Sequence, residues 1–200
     1  MSVVLPVTAA LISFTGFITY NVQTKLGESE PNPASWFLWA FLATMNALSF
    51  SAMNDVVSAL QFFAGSVGCI VTFFYVLIIG KFSWPTRNEW GMLVVGFVAI
   101  LVWREYTATS ANMILAGVFL WSFEPTIRGV WRNPYKEKMP AWIMWTIAFT
   151  ITSVNTYLYK GGATLSMVVP VLATVCHGAV PLLCTERRKR THSPFIDWLK

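Results

Sequence analysis

The stretch Pro33-Ala34-Ser35-Trp36-Phe37-Leu38-Trp39 opens one long apolar segment, and Pro140-Ala141-Trp142-Ile143-Met144-Trp145 opens another. Trp36 and Trp142 are 106 positions apart, and so are Trp39 and Trp145. Each copy sets Pro-Ala ahead of a Trp-x-x-Trp pair and continues as an apolar run. One such pair could arise by chance; a pair with matching flanks points to an internal repeat.

The rest of the chain says what is repeated. Hydrophobic residues make up 56% of the sequence, aromatic ones 16% and charged ones only 12%, with a mean hydropathy of +0.57. A soluble domain carries about 25% charged residues and could not bury so much apolar surface. Seven apolar segments stand out, at about 3–22, 34–53, 56–80, 89–103, 109–126, 140–158 and 163–184. Most approach the length of about 20 residues needed to cross some 30 Å of hydrocarbon. The expected fold is an all-α integral membrane protein of seven transmembrane helices.

The repeat then sorts those helices. Residues 1–82 form the first three-helix unit, 83–106 a linker helix, 107–184 the second unit and 185–200 a basic tail. Three crossings reverse the chain direction, so a direct copy would sit upside down. The linker restores orientation and allows two parallel halves, a 3+1+3 plan. Its run Gly91-Met92-Leu93-Val94-Val95-Gly96-Phe97 suits a peripheral connector facing lipid. Short turns at Asn54-Asp55 and Lys160-Gly161-Gly162 make hairpins of the last two helices in each half.

Charge placement gives an orientation. Twelve of the 14 basic residues fall on one side: Lys25, Lys81, Arg87, Arg128, Arg132, Lys136, Lys138, Arg187, Arg188, Lys189, Arg190 and Lys200. Arg104 and Lys160 are on the other. Basic loops stay cytoplasmic, so the N-terminus is expected outside and the tail inside, in a bacterial-type cytoplasmic membrane. The net charge of +5 thus reflects topology, and nucleic acid is not expected as a partner. The Arg187–Arg190 run could also touch anionic headgroups. Met1 to Pro6 hold no basic residue, so the first apolar stretch reads as helix one instead of a signal peptide. Cys69, Cys176 and Cys184 lie in apolar segments and read as free, buried thiols.

The sequence from Glu124-Pro125-Thr126-Ile127-Arg128 through Lys138-Met139-Pro140-Ala141-Trp142 resembles the loop of PQ-loop proteins, in which a proline ends one helix and another begins the next. The three-one-three plan also resembles SWEET sugar transporters and PnuC-type vitamin transporters. Thr126 stands where the eponymous glutamine would follow Pro125, and helices three and seven lack the asparagines of SWEET sugar sites. The resemblance implies a seven-helix small-solute transporter that alternates access. Pro33, Pro125 and Pro140 resemble three of its hinge prolines; they also suit ordinary first-turn prolines, at 33 and 140, and a helix stop, at 125.

The candidate site follows from helical spacing. Positions 36, 39, 43, 46 and 49–50 share one stripe of helix two, and 142, 145, 149, 152 and 155–156 share its counterpart in helix six. Asn46 and Ser49 in one copy, and Thr152 and Asn155 in the other, are polar groups near mid-membrane. They read either as interhelical hydrogen bonds or as a solute pocket between the halves. Trp36 and Trp142, a turn from the helix start, read as an aromatic belt. Trp39 and Trp145 lie deeper and suit stacking on a ring-bearing solute or an inner gate. His177 is the single intramembrane histidine, able to bond between helices, bind solute or carry a proton. Asp55 and Glu124 are placed at helix ends in water, and without a mid-membrane carboxylate facilitated transport is expected.

Cofactor, metal and catalytic motifs are not seen, so an enzyme is not expected. The expected partners are a small-molecule solute and the lipid bilayer, and a homo-oligomer is compatible with both. A receptor or scaffold that kept the fold without the pathway is the alternative; it would not need matched polar groups at mid-membrane.

Overall fold

The computed structural model describes residues 4–79 and 84–191, with side chains through 186. Lys81, His192, Lys200 and the side chains of the Arg187–Arg190 run lie outside it. Among the described residues the chain is all-helical: α1 (Val4–Lys25), α2 (Pro33–Ala52), α3 (Val56–Ile78), α4 (Arg87–Glu105), α5 (Ala108–Ser122), the short α6 (Glu124–Arg132), α7 (Met139–Lys160) and α8 (Val168–Thr191).

Local sequence explains the helix ends. Asn32 caps α2 by accepting from the Ala34 N–H, and Pro33 occupies the first turn, where its missing N–H costs nothing. Asp55 caps α3 and Thr107 caps α5 in the same way. Thr86 and Glu89 form a reciprocal capping box at the start of α4. Gly161 ends α7 in the left-handed conformation at φ 71°, which a side chain would strain.

Two segments differ from the sequence expectation. The fifth apolar segment stops at Ser122, and Pro125 opens α6 instead of closing a long helix. The basic loop expected after it is largely this amphipathic helix. The seventh begins with a 3-10 turn at Leu165–Met167 before α8 continues.

The helices close into a ring. α1 packs on α3 and α7, α2 on α3 and α5, and α8 on α5 and α7, so the order around the ring is α1, α3, α2, α5, α8, α7. α4 lies outside, against α5 and α2. At one end the Glu30 N–H donates to the Lys136 carbonyl, and Trp39 in α2 donates to Ser122 at the end of α5. α1 and α5 therefore finish where α2 and α7 start. Arg87, Arg128, Arg132 and Lys136 surround a mouth at this basic end. At the opposite end Ser58 of α3 hydrogen-bonds Thr156 of α7, and Thr109 of α5 reaches Met53 after α2.

Core and exterior are both apolar. Leu11 of α1, Ile78 of α3, Val94 of α4 and Leu182 of α8 are each 60% exposed or more, so the outer faces carry bare hydrocarbon. Among the described residues, three helices are long and apolar enough to cross a membrane: Val4–Lys25, Val56–Ile78 and Leu165–Glu186. That is the behaviour of a membrane protein. Cys69, Cys176 and Cys184 are buried thiols, and α4 exposes Val94, Phe97 and Leu101 while its first-turn Glu89 is buried against Asn32 and Ser35.

Candidate functional site: an aromatic chamber beside a tryptophan tetrad

The two Trp-x-x-Trp pairs meet at the centre of the ring. Within each copy the indoles pack edge to face: Trp36 on Trp39 at 5.1 Å and 90°, Trp142 on Trp145 at 5.2 Å and 83°. Between copies, Trp36 to Trp145 and Trp39 to Trp142 are both 6.1 Å. The four rings form a closed tetrad, each edge falling in the range where aromatic pairs attract by about 0.5–1.5 kcal/mol beyond their burial. Trp36 and Trp142 are 2% and 1% exposed, so neither belongs to an interfacial belt. A stripe shared with Trp39 and Trp145 turns all four inward.

Small residues and polar caps fix the rings. Gly16 of α1 lies so near the Trp145 indole that a Cβ there would come within 2.8 Å of Nε1, and that nitrogen donates to the Ser13 carbonyl at 3.2 Å. Trp39 Nε1 donates to Ser122 at 2.9 Å. Each of these two buried indole N–H groups thus finds an acceptor on the other half of the ring.

The tetrad separates a chamber from a vestibule. The chamber holds about 50 Å³, bordered by Trp39, Trp145, Phe62, Phe119, Phe149 and His177, with Ser13 and Cys69 as its small polar groups. That is room for a few waters, far below the roughly 300–1,000 Å³ of solute pockets. His177 Nδ1 lies 2.7 Å from the Ala173 carbonyl; a carbonyl only accepts, so Nδ1 carries the hydrogen and Nε2 is left as an acceptor. Its ring stacks on Phe149 at 5.0 Å. Trp36 and Trp39 also border the vestibule, about 80 Å³, whose Glu30, Asn32, Pro125 and Lys136 lead on to the open, charged mouth of about 600 Å³.

Comparison with family models, with curated proteins and with solved structures finds no match for this chain. Its site must be read from its own geometry.

The predicted residues divide between two layers. Trp39, Trp145 and His177 border the chamber. Asn46, Ser49, Thr152 and Asn155 are buried, but they do not converge on it. Asn112 of α5 donates to Asn46 Oδ1 at 3.0 Å and to Ser49 at 2.9 Å, tying α2 to α5 in a polar layer beyond the chamber. Thr152 bonds back to the Ala148 carbonyl of its own helix. The Nδ2 of Asn155 and both amide atoms of buried Gln61 have no protein hydrogen-bond partner. The displacement has a simple cause: two helical turns separate Asn46 from Trp39, and Phe62 and Phe149 fill the space between, 5.5 Å apart. Asn112 was findable by the rule that selected Asn46, an amide inside an apolar segment.

Pro33 and Pro140 sit in the first turns of α2 and α7, and Pro125 in that of α6 beside the vestibule. Asp55 is fully buried as the α3 cap, away from the water expected around it. Glu124 pairs with Arg128 one helical turn on, at 2.6 Å.

The residue that sequence reasoning missed is Glu137. It lies in the α6–α7 loop yet is only 5% exposed. Tyr20 donates to Oε1 and Trp142 to Oε2, both at 3.2 Å. Burial pushes its carboxyl up to about 7, against the opposing effect of those bonds and of Lys136. A carboxyl whose folded value lies above its unfolded one stabilises the fold fully below about pH 4.5, and that contribution is lost as pH rises through about 7. The loss over that window is on the order of 3 kcal/mol. Chemical denaturation of wild type from pH 4.5 to 8 is expected to show this decline, and Glu137→Gln to lack it. Equal slopes in the two proteins would contradict the assignment.

Proposed function

We propose that this chain is a transporter of a small solute across a membrane, alternating access between two parallel three-helix halves joined by α4. The observation that carries the reading is the chamber between the halves, closed on the vestibule side by matched tryptophans from both. The order α1, α3, α2 recurs in the ring as α5, α8, α7, which supports a 3+1+3 arrangement. α5 alone, at 15 residues, spans about 22 Å, less than the hydrocarbon thickness. The break at Phe123–Pro125 then lies near the basic surface, where one half could bend against the other. In this reading the protein resembles the SWEET, PnuC and PQ-loop transporters in plan, and the solute moves down its own gradient.

The chamber walls favour a small solute with a ring or flat apolar face, held between indoles and oriented by His177 Nε2 and the Ser13 hydroxyl. The amides of the polar layer that lack protein partners are groups a passing solute can use. Thermal unfolding in detergent, run against sugars, nucleosides, vitamins and amino acids, is expected to single out one class. A ligand at 100 times its Kd adds about 2.7 kcal/mol. Counterflow of that compound into proteoliposomes then tests transport. A chain that is stabilised by none of them and moves none is a scaffold.

The basic end faces the cytoplasm in this proposal, by the excess of Lys and Arg there. Single cysteines at Ser2 and Ser193, in a variant without the three native ones, report it. Ser2 is expected to react with an impermeant reagent from outside and Ser193 only from inside. Reaction of both from one side requires an even number of crossings and removes the parallel-repeat argument.

A further inference from the structure

We infer that Glu137 is a proton latch across the two halves, such that closing the tryptophan gate toward the vestibule takes up one proton and losing it frees the gate. The carboxyl group spans the seam. Oε1 is held by the Tyr20 hydroxyl of α1 and Oε2 by the Trp142 indole of α7. Tyr20 lies 4.9 Å from Trp36 and 5.7 Å from Trp145, while Trp142 packs on Trp39 and Trp145. Two hydrogen bonds therefore connect one titratable group to all four gate rings. Glu89, another buried carboxylate, is different: it is held by the Thr86 N–H, Asn32 and Ser35, and caps its own helix.

Hydrogen-bond chemistry sets the direction. The Trp142 N–H can only donate, so it needs a lone pair on Glu137 in either protonation state. The Tyr20 hydroxyl can donate to a carboxylate or accept from a carboxylic acid. The neutral acid thus keeps both bonds in the closed gate without a buried charge, whereas the ionised form gains most when the gate opens and water reaches it. Burial that raises the carboxyl to about 7 agrees with this, and places the exchange near neutral pH.

The surrounding charges leave the proton in control. Lys138 is engaged by Glu28 at 3.6 Å, and Lys136 faces the vestibule in company with Glu30. From α8 the Cys184 thiol meets the Glu137 backbone carbonyl, and α2 presents the uncharged Ser35, Trp36 and Trp39 to the vestibule. The vestibule shares Glu30, Asn32, Pro125 and Lys136 with the open mouth, which gives protons a short path from water.

Cys69 borders the chamber behind the gate and serves as the probe. In a C176A/C184S background, its modification rate by a small methanethiosulfonate reagent is measured at pH 6 and pH 8, with and without Glu137→Gln. Deprotonation of the thiol alone raises the rate at most about a hundredfold over two pH units, equally in both proteins. One proton released on opening adds about tenfold in wild type only. A wild-type rise above about a hundredfold, with the excess absent in Glu137→Gln and kept in Glu137→Asp, is the expected result. A wild-type rise at or below that ceiling, or the same excess in Glu137→Gln, overturns the latch; the wild-type limb decides even if the glutamine variant does not fold. The latch rests on the transport reading for its purpose alone. Access to Cys69 can fail to follow pH while counterflow succeeds, and the reverse, so the two stand or fall separately.

Discussion

Replacing Trp142 with alanine is expected to cost about 3–5 kcal/mol of stability, the range for removing a buried tryptophan from a tight core. The side chain is 1% exposed and packs against Tyr20, Trp39, Phe123, Trp145 and His177. No neighbour can follow it into the gap, because each ring is held by a partner of its own, and Glu137 loses the indole donor to its Oε2. Trp90, half exposed on α4, is the comparison: Trp90→Ala is expected within about 0.5 kcal/mol of wild type. Loss of the helical circular-dichroism signal in detergent, followed against denaturant, measures both. Trp36→Ala is expected to resemble Trp142→Ala. The double change should fall short of or exceed the sum by about 0.5–3 kcal/mol, since the two indoles share the tetrad. Additive losses would mean that the four rings do not act as one unit.

Gly68→Ala is expected to be the most damaging Gly→Ala change among the described residues. A Cβ at Gly68 in α3 would overlap the ring of Phe17 in α1. That ring is itself wedged 5.0 Å from Trp145 and 6.2 Å from Trp36, and it borders the chamber. The added methyl must drive Phe17 into the chamber or push α1 away from α3, at about 1–3 kcal/mol for overpacking. Gly117→Ala is the control. Gly117 is exposed within α5 and nothing lies within 4 Å of the place an alanine methyl would take, so the change is expected to raise stability by about 0.5–1 kcal/mol. The same substitution thus has opposite signs on two helices. Equal midpoints for the two variants would show that α1 and α3 do not make this close contact.

Much of the fold was legible because helix ends are written locally. Asn32-Pro33, the Thr86–Glu89 box, Pro140 and Gly161 act within one turn of chain and do not depend on a partner. The site was legible only in part. The stripe that carries Trp36, Trp39, Trp142 and Trp145 is a property of 3.6-residue spacing, so it could be drawn without coordinates. Its depth and its neighbours could not. Trp36 at a helix start fits a lipid interface and a packed core equally well by position, and burial to 2% chose the core. Asn46 is the reverse case: its polarity marked it as inward-facing, which it is, but its partner Asn112 is 66 residues away and turns the amide into a tie between helices.

By itself the sequence determined that the chain is helical and rich in apolar residues, and where most of its helices begin. Those properties rest on composition and on contacts spanning a few residues. Only the tertiary structure decided that the two tryptophan pairs close on one another, that the chamber lies among aromatic rings instead of amides, and that a loop carboxylate is the buried one. The physical reason is visible in Glu137. Flanked by Lys136 and Lys138, it reads as part of a solvated basic loop. Tyr20, 117 residues earlier in the chain, comes to lie over it and excludes the water that the local sequence promised.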